Sequence, residues 1–256
     1  MLSIVDLIEA GTMSRELAAY SLAAISRGAS FMVGALPGGA GKTTVMGALL
    51  NFVPREVQIV AADGTMTIEA GLREQAPRRC YVCHEIGDGS YYAYLWGKTL
   101  CRYFDLPPAG HMLATNLHAD TYSEARRQVC EQNGVSPVKF RGMNVIYFLA
   151  VERQPDVVQR RIVNVWESDG HEDHRLVFGG GRAVSSRGGS MLVSPVALRT
   201  AGATIARLMA SGVRRIEDVR PMVIEDASLH NHGRVWHKGT ANHGYKGGNH
   251  DIAAGA

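Results

Sequence analysis

The chain has 256 residues, of which 46% are apolar, so it is long enough for one large domain with an ample hydrophobic core. Its net charge of +3 is too small to indicate nucleic-acid binding on its own. The longest uncharged, mainly apolar run covers 143–151, far short of the ~20 residues that a membrane span needs. Residues 1–6 show no basic segment followed by an apolar one, so no secretory signal is predicted. We therefore expect a cytoplasmic protein.

Helical and extended patterns alternate through the first half of the chain. Two helices are predicted over 3–10 and 14–27. Strands are predicted over 31–35, 57–62, 79–85 and 111–117, with helices over 42–51, 89–103 and 121–132. This alternation predicts an α/β fold whose mostly parallel sheet is flanked by helices and binds ligands at the carboxyl ends of its strands. Beyond residue 134, antiparallel strands are predicted over 143–153, 160–167 and 174–178, and helices over 194–211 and 215–224.

A glycine-rich segment follows the first predicted strand. Residues 34–44 read Gly-Ala-Leu-Pro-Gly-Gly-Ala-Gly-Lys-Thr-Thr and lead into a helix that starts near Lys42. Strand, loop and helix in this order are typical of a phosphate-binding loop, where backbone N–H groups and the positive end of a helix surround the phosphates. Lys42 would reach the β- and γ-phosphates of ATP, and the Thr43 hydroxyl would bind Mg²⁺. The predicted nucleotide-binding residues are Pro37, Gly38, Gly39, Ala40, Gly41, Lys42, Thr43 and Thr44.

Two acidic residues follow predicted strands. Glu85 ends the apolar strand 79–85, and a carboxylate there can polarise the water that attacks the γ-phosphate. Asp63 follows the strand 57–62. It either contacts the magnesium shell and water or lies in an ordinary turn before Gly64.

A polar cluster is predicted at the end of the strand 111–117. His118 lies beside Asn116 and Asp120, and a histidine close to a γ-phosphate can sense or stabilise transferred charge. The same residue type at a strand end is also compatible with an ordinary structural role. His111 is separated from His118 by a strand of ~23 Å, so the two cannot share a metal ion.

The cysteines and the C-terminal histidines predict no metal site. Cys80 and Cys83 lie three apart on a strand, so their side chains face opposite sides and are expected to be free buried thiols. The histidines beyond residue 226 match no regular zinc spacing. That segment is rich in Gly, His, Asn and Lys and is expected to be a loosely ordered tail.

Four segments in this order resemble the secretion-superfamily ATPases, the hexameric motors of type II and type IV secretion, type IV pili and the archaellum. The segment 6–20 leads into the phosphate loop, and 60–65 resembles a weakened aspartate box. His84-Glu85-Ile86 is similar to the Gly-Glu-Ile of the Walker B strand. The segment 110–120 is similar to the histidine box, with both histidines at the expected separation, and is the most specific part of the match.

The resemblance implies a RecA-like P-loop ATPase motor domain that uses ATP and Mg²⁺. Lys42, Glu85, Asp63 and His118 would be the catalytic residues, with Thr43 on the metal. It further implies a homo-oligomeric ring, such as a hexamer, at the cytoplasmic face of a membrane, beside a secretion or pilus platform protein. The expected division is a helical linker over 1–30, a P-loop ATPase core over 31–225 and a flexible tail over 226–256.

The sequence also departs from the family pattern, and these departures leave alternatives open. Leu36 replaces the first loop glycine, Gly64 follows Asp63 in place of an acidic residue, His84 replaces glycine and Gly87 replaces arginine. A nucleotide-responsive assembly module with little turnover is one alternative. Another P-loop NTPase, such as a DNA-translocating motor or a small-molecule kinase, is a further one.

Overall fold

The computed structural model describes residues 2–154, 157–180, 182–183 and 189–224. The predicted tail over 226–256 lies outside the described residues. The helices are α1 (Ile4–Glu9), α2 (Arg15–Ile25), α3 (Lys42–Leu50), α4 (Thr65–Gly71), α5 (Gly97–Tyr103), α6 (Tyr122–Arg126), α7 (Pro137–Phe140), α8 (Pro195–Ser211) and α9 (Ile216–Ile224), and α6 continues as a π-helical segment over Arg127–Gln132. The strands are β1 (Phe31–Gly34), β2 (Gln58–Ala61), β3 (Arg79–Ile86), β4 (Tyr94–Leu95), β5 (Met112–Leu117), β6 (Val145–Gln154), β7 (Val157–Glu167), β8 (Arg175–Gly179) and β9 (Arg182–Ala183).

These strands form one mixed sheet in the order β2-β3-β5-β1-β6-β7-β8-β9, with β4 paired to β3. The pairs from β2 to β6 are parallel, and those from β6 to β9 are antiparallel. Strand β5 lies between β1, which precedes the glycine-rich loop, and β3, which carries Glu85. The predicted parallel sheet with an antiparallel and helical C-terminal part is confirmed.

Two hydrophobic cores cover the two faces of the sheet. One contains buried side chains of α1, α2, α3 and α8, and the other contains those of α4, α5, α6 and α7. Helices α1 and α2, which the sequence predicts as a linker, therefore share a core with the sheet. The predicted domain boundary between the linker and the ATPase core at residue 30 stays a prediction. Cys80 belongs to the first core and Cys83 to the second, and both are free thiols, as predicted. Burial raises the pKa of each to about 12.

Several helices begin or end at residues that satisfy their terminal backbone groups. Thr121 accepts a hydrogen bond from Glu124 N at the start of α6, and Gly212 ends α8 with a left-handed φ of 70°. Ser3 and Asp6 form a complete capping box at α1. No helix in the described part of the chain is long and apolar enough to cross a membrane.

The predicted helix over 89–103 is wrong in its first half. Helix α5 begins only at Gly97, and residues 94–95 form β4 beside the end of β3. Ala93 has a left-handed φ of 56°, which stops a right-handed helix from running through it. The bonds from His84 N to Ala93 O and from Gly87 N to Leu95 O hold this segment against β3. The short helices α4 and α7 and the strand β9 were not predicted.

Candidate functional site

The glycine-rich loop connects β1 to α3 at the carboxyl edge of the parallel strands. Gly39 and Gly41 have left-handed φ angles of 71° and 97°, which favour glycine. A Cβ atom at Gly38 or Gly39 would have no atom within 4 Å, so open space lies beside the loop. Among the described residues, the backbone N–H groups of residues 42–44 have no acceptor, because they are the first turn of α3 and Gly41 supplies no side-chain cap. Such a loop can receive an anion.

Lys42 extends from α3 into the edge of the sheet. Its side chain is 8% exposed, and its Nζ lies 3.5 Å from Oε1 of Glu85. The same Nζ donates to the carbonyl oxygen of Ala35 at 3.3 Å. The ammonium therefore lies between the end of β1 and the carboxylate on β3, where it can meet phosphate charge.

Glu85 is almost closed to solvent, with 7% of its side chain exposed. Its Oε1 is buried and has no hydrogen-bond donor in the described residues, apart from the 3.5 Å ion pair with Lys42. Because its one partner lies at the outer limit of a hydrogen bond, Oε1 keeps the capacity to accept from a closer donor beside the open loop. A water molecule is the simplest donor for such an oxygen.

His118 follows β5 and completes this group. Its Nε2 lies 3.7 Å from Oε2 of Glu85, and half of its side chain is exposed. Its Nδ1 lies 3.2 Å from the carbonyl oxygen of Leu36, which can only accept a hydrogen bond. Lys42 Nζ lies 3.3 Å from Nδ1 and 3.5 Å from Nε2 of the same ring, so the imidazole contacts the ammonium, the carboxylate and the loop together.

Two cavities adjoin the loop. A cavity of about 350 Å³ is lined by residues 38–44, Glu85 and His118. A second cavity of about 460 Å³ lies on the other side of the loop, mostly between α1 and the β6–β7 hairpin. Its apolar lining includes Leu2, Leu7, Val45, Leu149 and Val158. Both are also lined by Gly39, Ala40, Gly41 and Thr44, so the loop forms the wall between a charged site and an apolar one.

Arg160 was not predicted as a site residue. It lies on β7, lines the larger cavity and donates through Nε to the carbonyl oxygen of Gly39 at 3.2 Å. A Cβ on Gly41 would lie 3.3 Å from Arg160 Cδ. Its position in the sequence did not predict contact with the loop, because that contact depends on β1 and β7 both pairing with β6.

Of the sequence-predicted catalytic residues, Lys42, Glu85 and His118 come together, whereas Asp63 contacts another group. Its Oδ1 accepts from the Thr67 hydroxyl at 2.5 Å, at the start of α4, and it is not among the residues that line the charged cavity. Pro37 precedes the lining residues, and Thr43 and Thr44 belong to them. The individual roles stay predictions.

His111 lies away from this site. Its Nδ1 accepts from Arg79 N at 3.1 Å, and its Nε2 donates to the Gly71 carbonyl oxygen at 2.7 Å, so it ties β5 to β3 and α4. Burial lowers its pKa. In the described part of the chain, no group of three or more His, Cys, Asp or Glu residues could hold a metal ion.

The sheet order and this loop together decide the fold class. The chain has a P-loop NTPase fold. One strand, β5, separates the loop-bearing β1 from the Glu85-bearing β3, within the mostly parallel, helix-flanked sheet that the sequence predicts.

No protein-family model matches the chain, and no curated protein matches it by sequence. Its structure is similar to that of the VirB11 ATPase from the Brucella suis type IV secretion system, solved with sulphate, at 19% identity and a TM-score of 0.41 over 57% of this chain and 50% of that one. It is also similar to the ATPase DotB of Legionella pneumophila, at 10% identity and a TM-score of 0.39 over 88% and 62%. The chain thus spans less than two thirds of either protein. The function proposed below rests on the geometry of the site.

Proposed function

We propose that this chain binds ATP with Mg²⁺ and hydrolyses it, as the motor domain of an ATPase resembling those of secretion, pilus and archaellum machines. The observation that carries the proposal is the convergence of Lys42, Glu85 and His118, from three separate elements, on a glycine-rich loop with unpaired amides. A cation, a carboxylate and backbone donors around one cavity are the groups that phosphoryl transfer to water requires.

The charged cavity is where the phosphates would bind. The amides of residues 38–44 would donate to phosphate oxygens, and the Lys42 ammonium would move from Glu85 to the β- and γ-phosphates. The Thr43 hydroxyl lines this cavity and is the group that would hold Mg²⁺. When bound, Mg²⁺ would neutralise phosphate charge. The open space beside Gly38 and Gly39 and the orphaned Oε1 of Glu85 fit an anion with an ordered water.

The larger cavity would take the nucleoside. Its apolar lining suits the faces of a base, and Arg160 and Gln159 supply polar groups at its rim. Because the loop forms the wall between the two cavities, one nucleotide can span both, with its phosphates on the side of Lys42.

Glu85 would act on the attacking water. Once Lys42 has moved to the phosphates, the carboxylate can accept a hydrogen bond from water and then its proton. His118 faces Lys42 and Glu85 and would contact the γ-phosphate at the mouth of the cavity. Asp63 would contribute only through the metal shell, because its present contact is with Thr67.

The larger assembly belongs to the same proposal. A homo-oligomeric ring, such as a hexamer, would work at the cytoplasmic face of a membrane beside a secretion or pilus platform protein. Residues 31–225 would form the ATPase core. A nucleotide-responsive module with little turnover is the second candidate, because the ion pair between Lys42 and Glu85 holds both groups away from catalysis.

Two measurements test these candidates. The variants Lys42→Ala and Glu85→Gln should each release phosphate at least about 100-fold more slowly than the wild type. Equal release by all three proteins removes the ATPase proposal. Size-exclusion chromatography with light scattering, with and without a nonhydrolysable ATP analogue, tests the ring. Nucleotide-dependent assembly with negligible phosphate release would favour the second candidate.

A further inference from the structure

The strand that carries Glu85 is interrupted at the site. Strands β3 and β5 pair at Cys83–Thr115 and again at Ile86–Leu117. Between these pairs, His84 and Glu85 on β3 face Asn116 alone on β5. Two residues opposite one is a β-bulge, a feature that re-aims side chains.

The bulge changes the face on which side chains of β3 lie. Tyr81 and Cys83 pack in the core on the side away from α3. Strict alternation would place residue 85 on that side too. Ile86 packs there instead, so the alternation has shifted by one residue. The shift explains how the carboxylate of Glu85 reaches Lys42 at the start of α3.

Side chains hold both carbonyl groups of the bulge. Asn116 Nδ2 donates to the carbonyl oxygen of His84 at 2.8 Å, and Cys83 Sγ donates to that of Glu85 at 3.2 Å. Because a carbonyl oxygen can only accept, the first contact fixes the amide of Asn116 with its nitrogen towards β3.

Asn116 carries a free-energy cost at this position, because part of its buried amide has no hydrogen-bond partner in the described part of the chain. It is fully buried, and its Oδ1 has no donor in the described residues. An apolar side chain of similar size would avoid that penalty but would leave the carbonyl oxygen of His84 without its donor. The one bond that Asn116 makes therefore holds the residue that precedes Glu85.

We infer that Asn116 is a positioning residue for hydrolysis, whose amide clamps the bulge at His84 and so aims the carboxylate of Glu85. The inference rests on the proposed ATP hydrolysis, but the clamp itself is measurable without turnover. Asn144 offers a matched control. It is also fully buried, but it is bonded at both ends, to Ser30 N at 2.9 Å and to the Ser168 carbonyl oxygen at 3.1 Å, near the start of β6.

The test compares Asn116→Leu with Asn144→Leu in the full chain. Three quantities are measured: kcat for ATP hydrolysis, Kd for a fluorescent nonhydrolysable ATP analogue, and hydrogen exchange of the peptide over 83–87 without nucleotide. For Asn116→Leu, kcat should fall at least tenfold, Kd should stay within threefold, and exchange should become at least fivefold faster. Its Tm should fall less than that of Asn144→Leu, because one group rather than two loses its hydrogen-bond partner. For Asn144→Leu, Tm should fall, while kcat per folded molecule stays within twofold and exchange at the bulge is unchanged. Asn116→Ala replaces the leucine variant if leucine does not fit.

The outcomes of these measurements distinguish the positioning role of Asn116 from the proposed ATP hydrolysis. Wild-type kcat in the Asn116 variant, or a fall in kcat that only follows Tm, overturns the positioning role. A wild-type protein without hydrolysis overturns the proposed function. Exchange then decides the clamp by itself: faster exchange in the Asn116 variant supports it, and unchanged exchange overturns it.

Discussion

The ammonium of Lys42 and the carboxylate of Glu85 form an ion pair of 3.5 Å, with both side chains more than nine-tenths buried. These are the two groups that the proposed reaction assigns to different partners, the phosphates and the water. In the proposed reaction, nucleotide binding would separate them, and the pair would compete with the nucleotide for Lys42.

Removing the charge of Glu85 should tighten nucleotide binding. In Glu85→Gln the ammonium of Lys42 loses its carboxylate partner and is freer to meet phosphate. We expect roughly three- to tenfold tighter binding of a nonhydrolysable ATP analogue, which corresponds to about 0.7–1.4 kcal/mol. Isothermal titration calorimetry measures the change. Glu131→Gln makes the same charge change at an exposed position and should leave Kd as it is. Equal or weaker binding by Glu85→Gln would show that the ion pair does not compete.

Gly41 should tolerate alanine poorly, and Gly38 should tolerate it well. Gly41 has a φ of 97°, and a Cβ there would meet Arg160 Cδ at 3.3 Å. A side chain in this conformation costs about 1–2 kcal/mol. Gly38 lies outside the left-handed set and has open space around it. Urea unfolding should show a loss of about 1–2 kcal/mol for Gly41→Ala and under about 0.5 kcal/mol for Gly38→Ala. Similar values for both would contradict the loop geometry.

Glu167 should be essential for stability. Its side chain is fully buried and accepts from Tyr20 Oη, Arg175, Ser190 Oγ and Met191 N, which joins α2, β8 and the residues before α8 to β7. Glu167→Leu leaves Arg175 without its counter-charge and several donors without an acceptor, so we expect a loss of about 3–5 kcal/mol.

Glu167→Gln keeps the shape and part of this hydrogen bonding. Its loss should be smaller, about 1–3 kcal/mol. Thermal unfolding ranks the two variants, and a leucine variant as stable as the wild type would refute the structural role of the carboxylate.

The stability of the protein should fall with acid partly through His174. Burial lowers the pKa of His174 from 6.5 to about 4. The folded state therefore favours the neutral ring, which donates through Nε2 to the Met143 carbonyl oxygen at 2.7 Å. The contribution of the neutral His174 ring to the free energy of unfolding is complete above about pH 6.5 and is lost as the pH falls towards 4. This contribution is at most about 3 kcal/mol.

Urea unfolding at several pH values between about 4 and 7 measures this dependence. His174→Gln should be less stable at neutral pH but should show a flatter dependence, because glutamine does not titrate. His111, which packs against Tyr81 of the second core, should add a change of the same sign, since burial lowers its pKa as well. A slope unchanged by His174→Gln would exclude His174 as the source.

Much of the site could be predicted because its residues carry local signals. The run of glycines before Lys42 predicts the loop, and an apolar strand ending in an acid predicts Glu85 near its end. His118 was placed by the polar residues around it. The helix over 89–103 was predicted too long because the tyrosine-rich residues 91–94 are also compatible with a helix, whereas bonds to β3 hold them extended.

Other features depend on contacts between distant parts of the chain and left no signal in the sequence. Arg160 donates a hydrogen bond to the glycine-rich loop only because β6 pairs with both β1 and β7 and so brings Arg160 on β7 close to the loop that follows β1. The amide of Asn116 meets the carbonyl oxygen of His84 only because the pairing of β3 and β5 slips by one residue.

The sequence by itself determined the order of the main strands and helices, the glycine-rich loop and the charged residues at the strand ends, because periodicity, glycine and capping residues act over a few positions. Only the tertiary structure decided that Glu85 faces Lys42, that an apolar cavity adjoins the loop and that α1 and α2 share the main core. Those relations arise from strand pairing and packing between residues far apart in the chain, and local physical chemistry does not encode them.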